Sequence, residues 1–193
     1  MDFVFPSLEG EHQIDNASTA ISTILSLENK LFTEKIINKG LLETNWPARM
    51  QKLNDGKLSS IMGNSFEIWL DGGHNLEASN ILKKKINMWK TDNVFLIMGM
   101  MIGKNPVGFL RKIIQEISSI FLLPISDHQY IQPYEIKDQI IAKLQAKSEV
   151  FCSLDIKEAL KTIKKKHSSG KIIICGSLYL AGEVLKEDGF IIR

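Results

Sequence analysis

The chain has 193 residues, and its 24 basic and 22 acidic side chains leave a formal net charge of only +2. Hydrophobic residues make up 44% and charged residues 24%, which excludes disorder along the whole chain. The balanced charge argues against a nucleic-acid-binding protein with a broad cationic face. No stretch reaches the roughly 20 apolar residues of a membrane helix, and no signal peptide opens the sequence. Cys152 and Cys175 have no metal-binding spacing. We therefore expect a cytoplasmic protein with neither nucleic acid nor a membrane as partner.

The amino-terminal segment carries a helical pattern over 16–38. Small and aliphatic side chains recur there at spacings of three and four residues, namely Ala17, Ala20, Ile21, Ile24 and Leu25. Asn16 is predicted to be the N-cap of this helix, and Gly40 is predicted to end it. The segment Asn45-Trp46-Pro47 predicts a linker, because the residue before a proline avoids the helical conformation.

Strand, loop and helix patterns alternate after this linker. The strands are predicted at 66–70, 94–98, 120–123, 150–151 and 171–175, and the helices after 75, near 107–117, at 133–146, at 155–166 and after 177. Continuous apolar strands between amphipathic helices predict an α/β fold, in which helices cover both faces of a mainly parallel, Rossmann-like sheet. Because such sheets bind ligands at the carboxyl ends of their strands, we expect the functional residues in the loops that follow the strands.

The loop Asp71-Gly-Gly-His74-Asn75 has the richest chemistry. It combines a carboxylate, an imidazole and an amide, which suit ribose hydroxyls, a phosphate-bound metal or the ammonium group of an amino acid. A purely structural role is equally compatible with the sequence, because Asp and Asn often cap the helix that follows such a loop.

Two other segments offer groups that bind anions. In Trp46-Pro47-Ala48-Arg49 the guanidinium suits phosphate, although this segment by itself favours a surface arginine on a linker. The turn Cys175-Gly176-Ser177 leads from a strand into a helix, where an anion can bind, and Ser177 can also act as the N-cap. Cys175 is predicted to be a small core residue.

Several familiar motifs are absent from the sequence. The segment Gly99-Met-Met-Ile-Gly103-Lys104-Asn105 is not a phosphate loop, because three residues instead of four separate its glycines and Asn follows the Lys. The dinucleotide fingerprint G-x-G-x-x-G, zinc-ligand spacings and a Ser–His–Asp set are missing as well. No metal ligand is assigned.

The order of the motifs resembles a known family. The run ICGSLYLAGEVL is the most specific piece, and it follows 12–17 (HQIDNA), 46–49 (WPAR), 70–75 (LDGGHN) and the pair Gly99 and Lys104. Together these segments closely resemble the carboxyl-terminal part of folylpolyglutamate synthase/dihydrofolate synthase, a family of the Mur ligase superfamily. The resemblance covers essentially the whole chain.

This resemblance implies an ATP-dependent ligase that uses Mg²⁺. A pteroate or folate carboxylate is phosphorylated, and the amine of L-glutamate then attacks the acyl phosphate, so positioning and charge stabilisation carry most of the catalysis. By motif, we expect Asn16 beside the adenine, Arg49 at the phosphates and Asp71 at the nucleotide. His74 is expected next to the nucleotide or the incoming glutamate and is the one candidate catalytic residue, whereas Ser177 is a candidate for the glutamate pocket.

In this family the phosphate loop, the metal ligands and most of the folate site lie in an amino-terminal ATPase domain. The resemblance therefore implies that residues 1–44 are the helical tail of that domain and that 45–193 form the complete carboxyl-terminal domain. We expect such a fragment to be inactive by itself and a separate chain with the ATPase domain to be one possible partner. The family pattern is broken at Ala48 (usually Gly), Gly73 (usually Ala), Leu76 (usually Pro) and Asn105 (usually Asp).

Two other interpretations stay open. The chain can be a stand-alone α/β module that binds a nucleotide or an amino acid without chemistry, or the remnant of a gene without a selected function. Affinity of the isolated chain for ATP or glutamate favours the module. An upstream reading frame for the ATPase domain favours the ligase, and its absence favours the remnant.

Overall fold

The computed structural model describes residues 1–8, 10–89 and 93–190. The chain divides into two compact units, Met1–Arg49 (unit 1) and Met50–Arg193 (unit 2). The domain boundary expected after residue 44 stays a prediction. Among the described residues, no helix combines the length and the apolarity needed to cross a bilayer.

The described residues of unit 1 form two helices where the sequence predicted one. Helix α1 spans Glu11–Ser26 and α2 spans Glu34–Glu43. The break contains Glu28, whose φ of 49° is left-handed, and Thr33, whose side chain caps α2 by accepting from the backbone N–H of Ile36. The apolar spacing missed this break because side chains such as Leu31 continue the pattern without being buried.

The predicted helix ends in unit 1 were also wrong. Asn16 lies inside α1 and is not its N-cap, because the polar first turn that begins at Glu11 shows no apolar periodicity. Gly40 lies inside α2, where its carbonyl accepts from the backbone N–H of Thr44 at 3.0 Å. A single glycine is tolerated within a helix. Residues 45–47 have no regular secondary structure, and their role as a linker stays a prediction.

Unit 2 is built on a six-stranded sheet with the order β1-β2-β6-β3-β4-β5. The strands are β1 (Gln51–Leu53), β2 (Phe66–Leu70), β3 (Val94–Met98), β4 (Ser119–Leu122), β5 (Glu149–Cys152) and β6 (Gly170–Cys175). Among the strands in the described residues, β1 pairs antiparallel with β2 and the other pairs are parallel, so the predicted fold class is confirmed. β1 escaped the sequence analysis because an edge strand of three residues is too short to show alternation.

Helices cover both faces of this sheet. They are α3 (Lys57–Met62), α4 (Leu76–Trp89), α5 (Pro106–Leu110), α6 (Pro133–Lys143), α7 (Ile156–Lys166) and α8 (Leu178–Asp188). Helix α5 packs against α4 and α6 on one face, and α3 packs against α7 and α8 on the other. The helix predicted at 107–117 ends at Leu110, and a 3-10 turn follows at Ile114–Glu116. The prediction was too long because buried Ile113 and Ile117 extend the apolar pattern beyond the helix.

The core is densest around the central strands. All five residues of β3 are buried, because helices lie on both of its faces. Leu96 and Met98 belong to the cluster that contains the buried side chains of α4, α5 and α6. This packing fixes the strand ends from which the loops with polar residues extend.

Candidate functional site

The sheet has a topological switch point between two adjacent parallel strands. The chain leaves β2 for α4 on one face, and it leaves β6 for α8 on the opposite face. Sheets of this class bind ligands at such a point, outside the carboxyl ends of the strands. The loops 71–75 and 175–177 lie there and are joined by backbone hydrogen bonds, from Asp71 N–H to Ile174 O and from Gly176 N–H to Gly73 O, both at 2.9 Å.

The carboxylate of Asp71 is buried, with 8% of the residue exposed. Its Oδ2 accepts from the backbone N–H of Met50 at 2.9 Å, and its Oδ1 accepts from the backbone N–H of Gly73 at 2.7 Å. Both oxygens therefore serve the protein backbone. The nucleotide contact expected of Asp71 stays a prediction.

His74 is half-buried at the same strand end. Its Nδ1 lies 3.1 Å from the carbonyl oxygen of Gly72, and because a carbonyl only accepts, Nδ1 carries a proton. In the neutral ring Nε2 is then the acceptor. The cap of α4 comes from Asn75, whose Oδ1 accepts from the N–H of Ala78 at 2.9 Å, so Asp71 does not have this structural role.

Ser177 is buried and caps α8. Its Oγ accepts from the backbone N–H of Tyr179 at 3.1 Å, which is the structural role that the sequence suggested. Gly176 before it has a φ of +104°, and a Cβ there would lie 2.5 Å from the carbonyl oxygen of Gly99. Only glycine permits this close approach of the two strand ends.

Cys175 has the environment of a core residue. It is 1% exposed, and burial, followed by the nearby negative charge of Asp71, raises the pKa of its thiol well above the ordinary value. The thiol therefore stays protonated, which argues against a nucleophile.

Asn16 and Arg49 lie together in unit 1, on a cleft of about 320 Å³. Apolar and polar side chains share its lining, which consists of Pro6, Leu8, Gln13, Asn16, Ala17, Ala20, Leu41, Thr44, Trp46 and Arg49. The cleft thus offers apolar walls, two amides and one guanidinium. These groups suit a planar heterocycle that carries a negative charge.

The sequence analysis did not assign a role to Gln13, a buried amide in this cleft. Its Oε1 accepts from Nδ2 of Asn16 at 3.0 Å, and its Nε2 lies 3.0 Å from Nε2 of His12. Gln13 therefore orients the Asn16 amide. The sequence feature that indicates a role for Gln13 is its helical spacing from Ala17 and Ala20, which places the three residues on one face of α1.

The backbone conformation of Ala48, which precedes Arg49, explains why the family usually has glycine at this position. It is buried and has a φ of 59°, in the left-handed region that favours glycine. A glycine there, as in the family, would adopt this conformation without strain.

A second cleft in unit 2 was not anticipated. It has a volume of about 380 Å³ and lies between α8, the start of α7 and the loop after β4. The N–H of Ser126 donates to Oε1 of Glu183 at 2.6 Å, and the ring centroids of His128 and Tyr179 are 3.7 Å apart. Burial raises the pKa of Glu183, whereas the hydrogen bonds from Ser126 act in the opposite direction. His128 and Tyr179 are distant in sequence, so no local pattern indicates this ring pair.

The structure thus brings the predicted site residues together in two sets. Asp71, His74 and Ser177 lie at the carboxyl ends of adjacent strands in unit 2, and Asn16 and Arg49 share the cleft of unit 1. Within the part of the chain that the structure describes, no group of three His, Cys, Asp or Glu side chains could hold a metal ion.

Comparison with solved structures defines the class of fold. Folylpolyglutamate synthase of Mycobacterium tuberculosis, solved in complex with ADP and AMPPCP, matches with a TM-score of 0.81 at 14% identity. The match covers 98% of this chain and 43% of that chain. The fold is therefore that of the carboxyl-terminal part of folate ligases.

Sequence comparison then gives the family. Residues 53–187 match the family described as dihydrofolate synthetase, C-terminal domain, and the chain belongs to this family. It is 27% identical to dihydrofolate synthetase of Saccharomyces cerevisiae over 93% of this chain and 44% of that protein. It is 26% identical to folylpolyglutamate synthase of Lacticaseibacillus casei over 92% of this chain and 38% of that protein. The chain thus spans less than half the length of these relatives. The resemblance noted in the sequence is confirmed.

Proposed function

We propose that these 193 residues supply the carboxyl-terminal share of an ATP-dependent ligase that adds L-glutamate to dihydropteroate or to a (tetrahydro)folate. The observation that carries this proposal is the match of 53–187 to the dihydrofolate synthetase C-terminal domain family. The residues at the strand ends and in the unit 1 cleft provide the groups that could bind the substrates.

The cleft of unit 1 is the proposed site for the nucleotide. Its apolar walls suit the faces of an adenine, and the Asn16 amide, oriented by Gln13, can hydrogen-bond the edge of the base. The guanidinium of Arg49 suits the phosphates, because it binds oxyanions with two parallel hydrogen bonds.

The strand ends of unit 2 are the proposed site for the incoming amino acid. Nε2 of His74 can accept a proton from the ammonium group of L-glutamate, which must lose it before the amine attacks an acyl phosphate. The Oγ of Ser177 already accepts from a backbone N–H, so its hydroxyl proton can donate to a glutamate carboxylate at the start of α8.

ATP is proposed to arrive with Mg²⁺, whose protein ligands we place in an ATPase domain. The described residues offer no metal-binding cluster, and the sequence contains no phosphate loop. We therefore propose that an ATPase domain outside these 193 residues is the partner in catalysis. A separate chain can supply this domain. We propose that the reaction takes place in the cytoplasm, because Cys152 and Cys175 are free and cysteines stay reduced in that compartment.

Equilibrium binding of ATP to the purified 193-residue chain tests the nucleotide site. We expect measurable binding that weakens about ten-fold or more in Arg49→Ala, since one lost charge-assisted phosphate contact is worth at least about 1.4 kcal/mol. Lys39→Ala is the matched control, because it removes a cation of α2 that does not line the cleft. Equal affinities in the wild type and Arg49→Ala would contradict the assignment.

Assays of turnover separate the ligase from the alternatives. The isolated chain should release no ADP, and steady release that Asp71→Ala abolishes would refute the need for a partner. Addition of an ATPase domain, such as the part of the S. cerevisiae relative that precedes the matched region, should restore incorporation of labelled L-glutamate. Nucleotide binding without incorporation would favour the binding module, and no binding at all would favour the gene remnant.

A further inference from the structure

Three linked side chains fix the orientation of an amide in the cleft of unit 1. Oε1 of Gln13 accepts from Nδ2 of Asn16 at 3.0 Å, and Nε2 of Gln13 lies 3.0 Å from Nε2 of His12. Because an amide nitrogen only donates, Nε2 of His12 is the acceptor in this contact. Neither amide can turn over without placing two donors or two acceptors face to face.

Burial makes this orientation costly to lose. Gln13 is 6% exposed, and a buried amide that loses its hydrogen-bond partners keeps the full cost of its desolvation. The backbone also leaves space for the imidazole, because a Cβ at Gly10 would lie 2.6 Å from Cε1 of His12. Asn16, by contrast, is exposed and lines the cleft. A buried glutamine thus holds an amide that a ligand in the cleft can contact.

The fixed amide has one acceptor and one donor left for a ligand. Since one N–H of Nδ2 is bound to Gln13, Oδ1 and the second N–H of Asn16 remain. Adenine matches this pair, because its N6 amino group donates next to a ring nitrogen that accepts. Guanine has the acceptor O6 in place of the N6 amino group, so two acceptors would face each other in the same pose.

We infer that Gln13 is a positioning residue that determines specificity, because it holds the Asn16 amide in the orientation that selects adenine over guanine nucleotides. This inference rests on the proposed nucleotide site in the cleft of unit 1. A guanine in the same pose needs the Asn16 amide to turn over, and Oδ1 would then face Oε1 of Gln13. The selectivity therefore belongs to the pair of side chains and not to Asn16 alone.

The ratio of ATP to GTP affinity, measured by equilibrium binding to the full 193-residue chain, tests the inference. The wild type should bind ATP at least about ten-fold more tightly than GTP, as expected for one bidentate contact to a base. Gln13→Met removes both hydrogen bonds of the glutamine, so the Asn16 amide can turn and the ratio should fall towards one. Gln13→Glu keeps an acceptor for Nδ2 of Asn16 and should retain most of the wild-type ratio.

Further variants separate positioning from a general effect on the fold. Asn16→Ala removes the discriminating amide, and the double variant with Gln13→Met should have the same ATP-to-GTP ratio as Asn16→Ala alone. Ser18→Ala is the control on α1 and should keep the wild-type ratio, because Oγ of Ser18 donates to Ile14 O and does not line the cleft. A Gln13→Met chain that loses affinity for both nucleotides equally, with an unchanged ratio, would overturn the inference.

The side-chain amide protons of Asn16 provide an NMR readout that needs no nucleotide. In the wild type, the Nδ2 proton that is bound to Gln13 should exchange with solvent more slowly than the other Nδ2 proton, and Gln13→Met should remove this difference. Equal exchange of the two protons in the wild type would show that Gln13 does not hold the amide and would refute its role.

The wild type and Asn16→Ala decide the question if Gln13→Met does not fold. A preference for ATP that survives in Asn16→Ala would contradict the inference, because Asn16 is the group through which Gln13 acts. Equal affinity of the wild type for ATP and GTP would refute the selectivity and leave the nucleotide site intact. If the wild type binds neither nucleotide, the proposed nucleotide site fails and the inference fails with it.

Discussion

At the residue scale, Glu67 is a half-buried carboxylate whose pKa is lowered by neighbouring cations. It lies on β2 and accepts from Lys171, from Lys52 at 2.8 Å and from Nε1 of Trp69 at 3.3 Å. The hydrogen bond from Lys171 and then the one from Lys52 lower the pKa of Glu67 from 4.5 to about 2. Lys171 also lies 5.3 Å from the ring centroid of Trp89, so cations and aromatic rings alternate along this face.

The lowered pKa predicts how Glu67→Gln changes stability with pH. The folded-state pKa lies below the unfolded value, so the stabilisation by Glu67 is complete above pH 4.5 and disappears as the pH falls towards 2. We expect Glu67→Gln to lower the free energy of unfolding at pH 7 by up to about 1 kcal/mol, because solvent screens a carboxylate that is one-third exposed. Urea unfolding from pH 7 to 2 measures this difference.

A variant of an exposed ion pair provides the control. Glu149→Gln removes the partner of Lys166, and we expect almost no change at any pH because this carboxylate is 64% exposed. A stability difference for Glu67→Gln that stays constant down to pH 2 would contradict the assigned cause.

At the element scale, α7 shows how local signals and packing specify the same helix. Asp155 caps it, with Oδ1 accepting from the N–H of Glu158 at 2.8 Å, and Ile156, Ala159, Leu160 and Ile163 form its buried face. The basic run 164–166 lies in the last turn, where positive charges interact favourably with the helix dipole and stabilise the helix. This basic run therefore has a structural explanation and needs no ligand.

The cap of α7 gives a second prediction. Asp155→Ala removes the acceptor for a backbone N–H of the first turn and should lower the free energy of unfolding by about 1 kcal/mol. Asp155→Asn keeps an acceptor oxygen and should stay within a few tenths of a kcal/mol of the wild type. Chemical unfolding of the three chains tests this order. Equal losses in both variants would show that the charge, and not the cap, stabilises α7.

At the scale of the whole molecule, the two units differ in how completely they bury apolar side chains. Every residue of β3 in unit 2 is buried, whereas unit 1 exposes large apolar side chains such as Phe5, Leu31, Ile36 and Leu42. Isolated short helices are marginal in water, so unit 1 depends more strongly on tertiary contacts for its stability.

This difference predicts the outcome of limited proteolysis. Chymotrypsin should cut first after Leu42, which is exposed beside the irregular segment 44–47. Trp46 is exposed as well, but chymotrypsin does not cleave the bond before Pro47. Mass spectrometry should then show a stable fragment that begins between residues 43 and 50. Aromatic sites inside the sheet, such as Phe95, are the internal control and should resist cleavage. Survival of the intact chain would contradict the expectation that Leu42 and the segment 44–47 are accessible to the protease.

The sequence by itself determined the elements whose signals are local. β2 and β3 lie at the predicted positions 66–70 and 94–98, β3 over an unbroken apolar run, and the cap of α8 follows from Ser177. A strand buried on both faces needs an unbroken apolar run, and a helix start needs a side-chain acceptor, so both can be predicted from neighbouring residues alone. The order of the motifs added the family, which the comparisons confirmed.

Only the tertiary structure decided which backbone the Asp71 carboxylate holds. The Met50 N–H is 21 residues away, and no spacing rule connects the two. The position of β6 between β2 and β3 is a further example, because it results from a crossover of the chain and creates the switch point. Gln13 and the ring pair of His128 and Tyr179 also acquire their roles through packing. Local periodicity reports which side chains are buried, whereas a hydrogen bond or ring contact between distant segments exists only once the chain has folded.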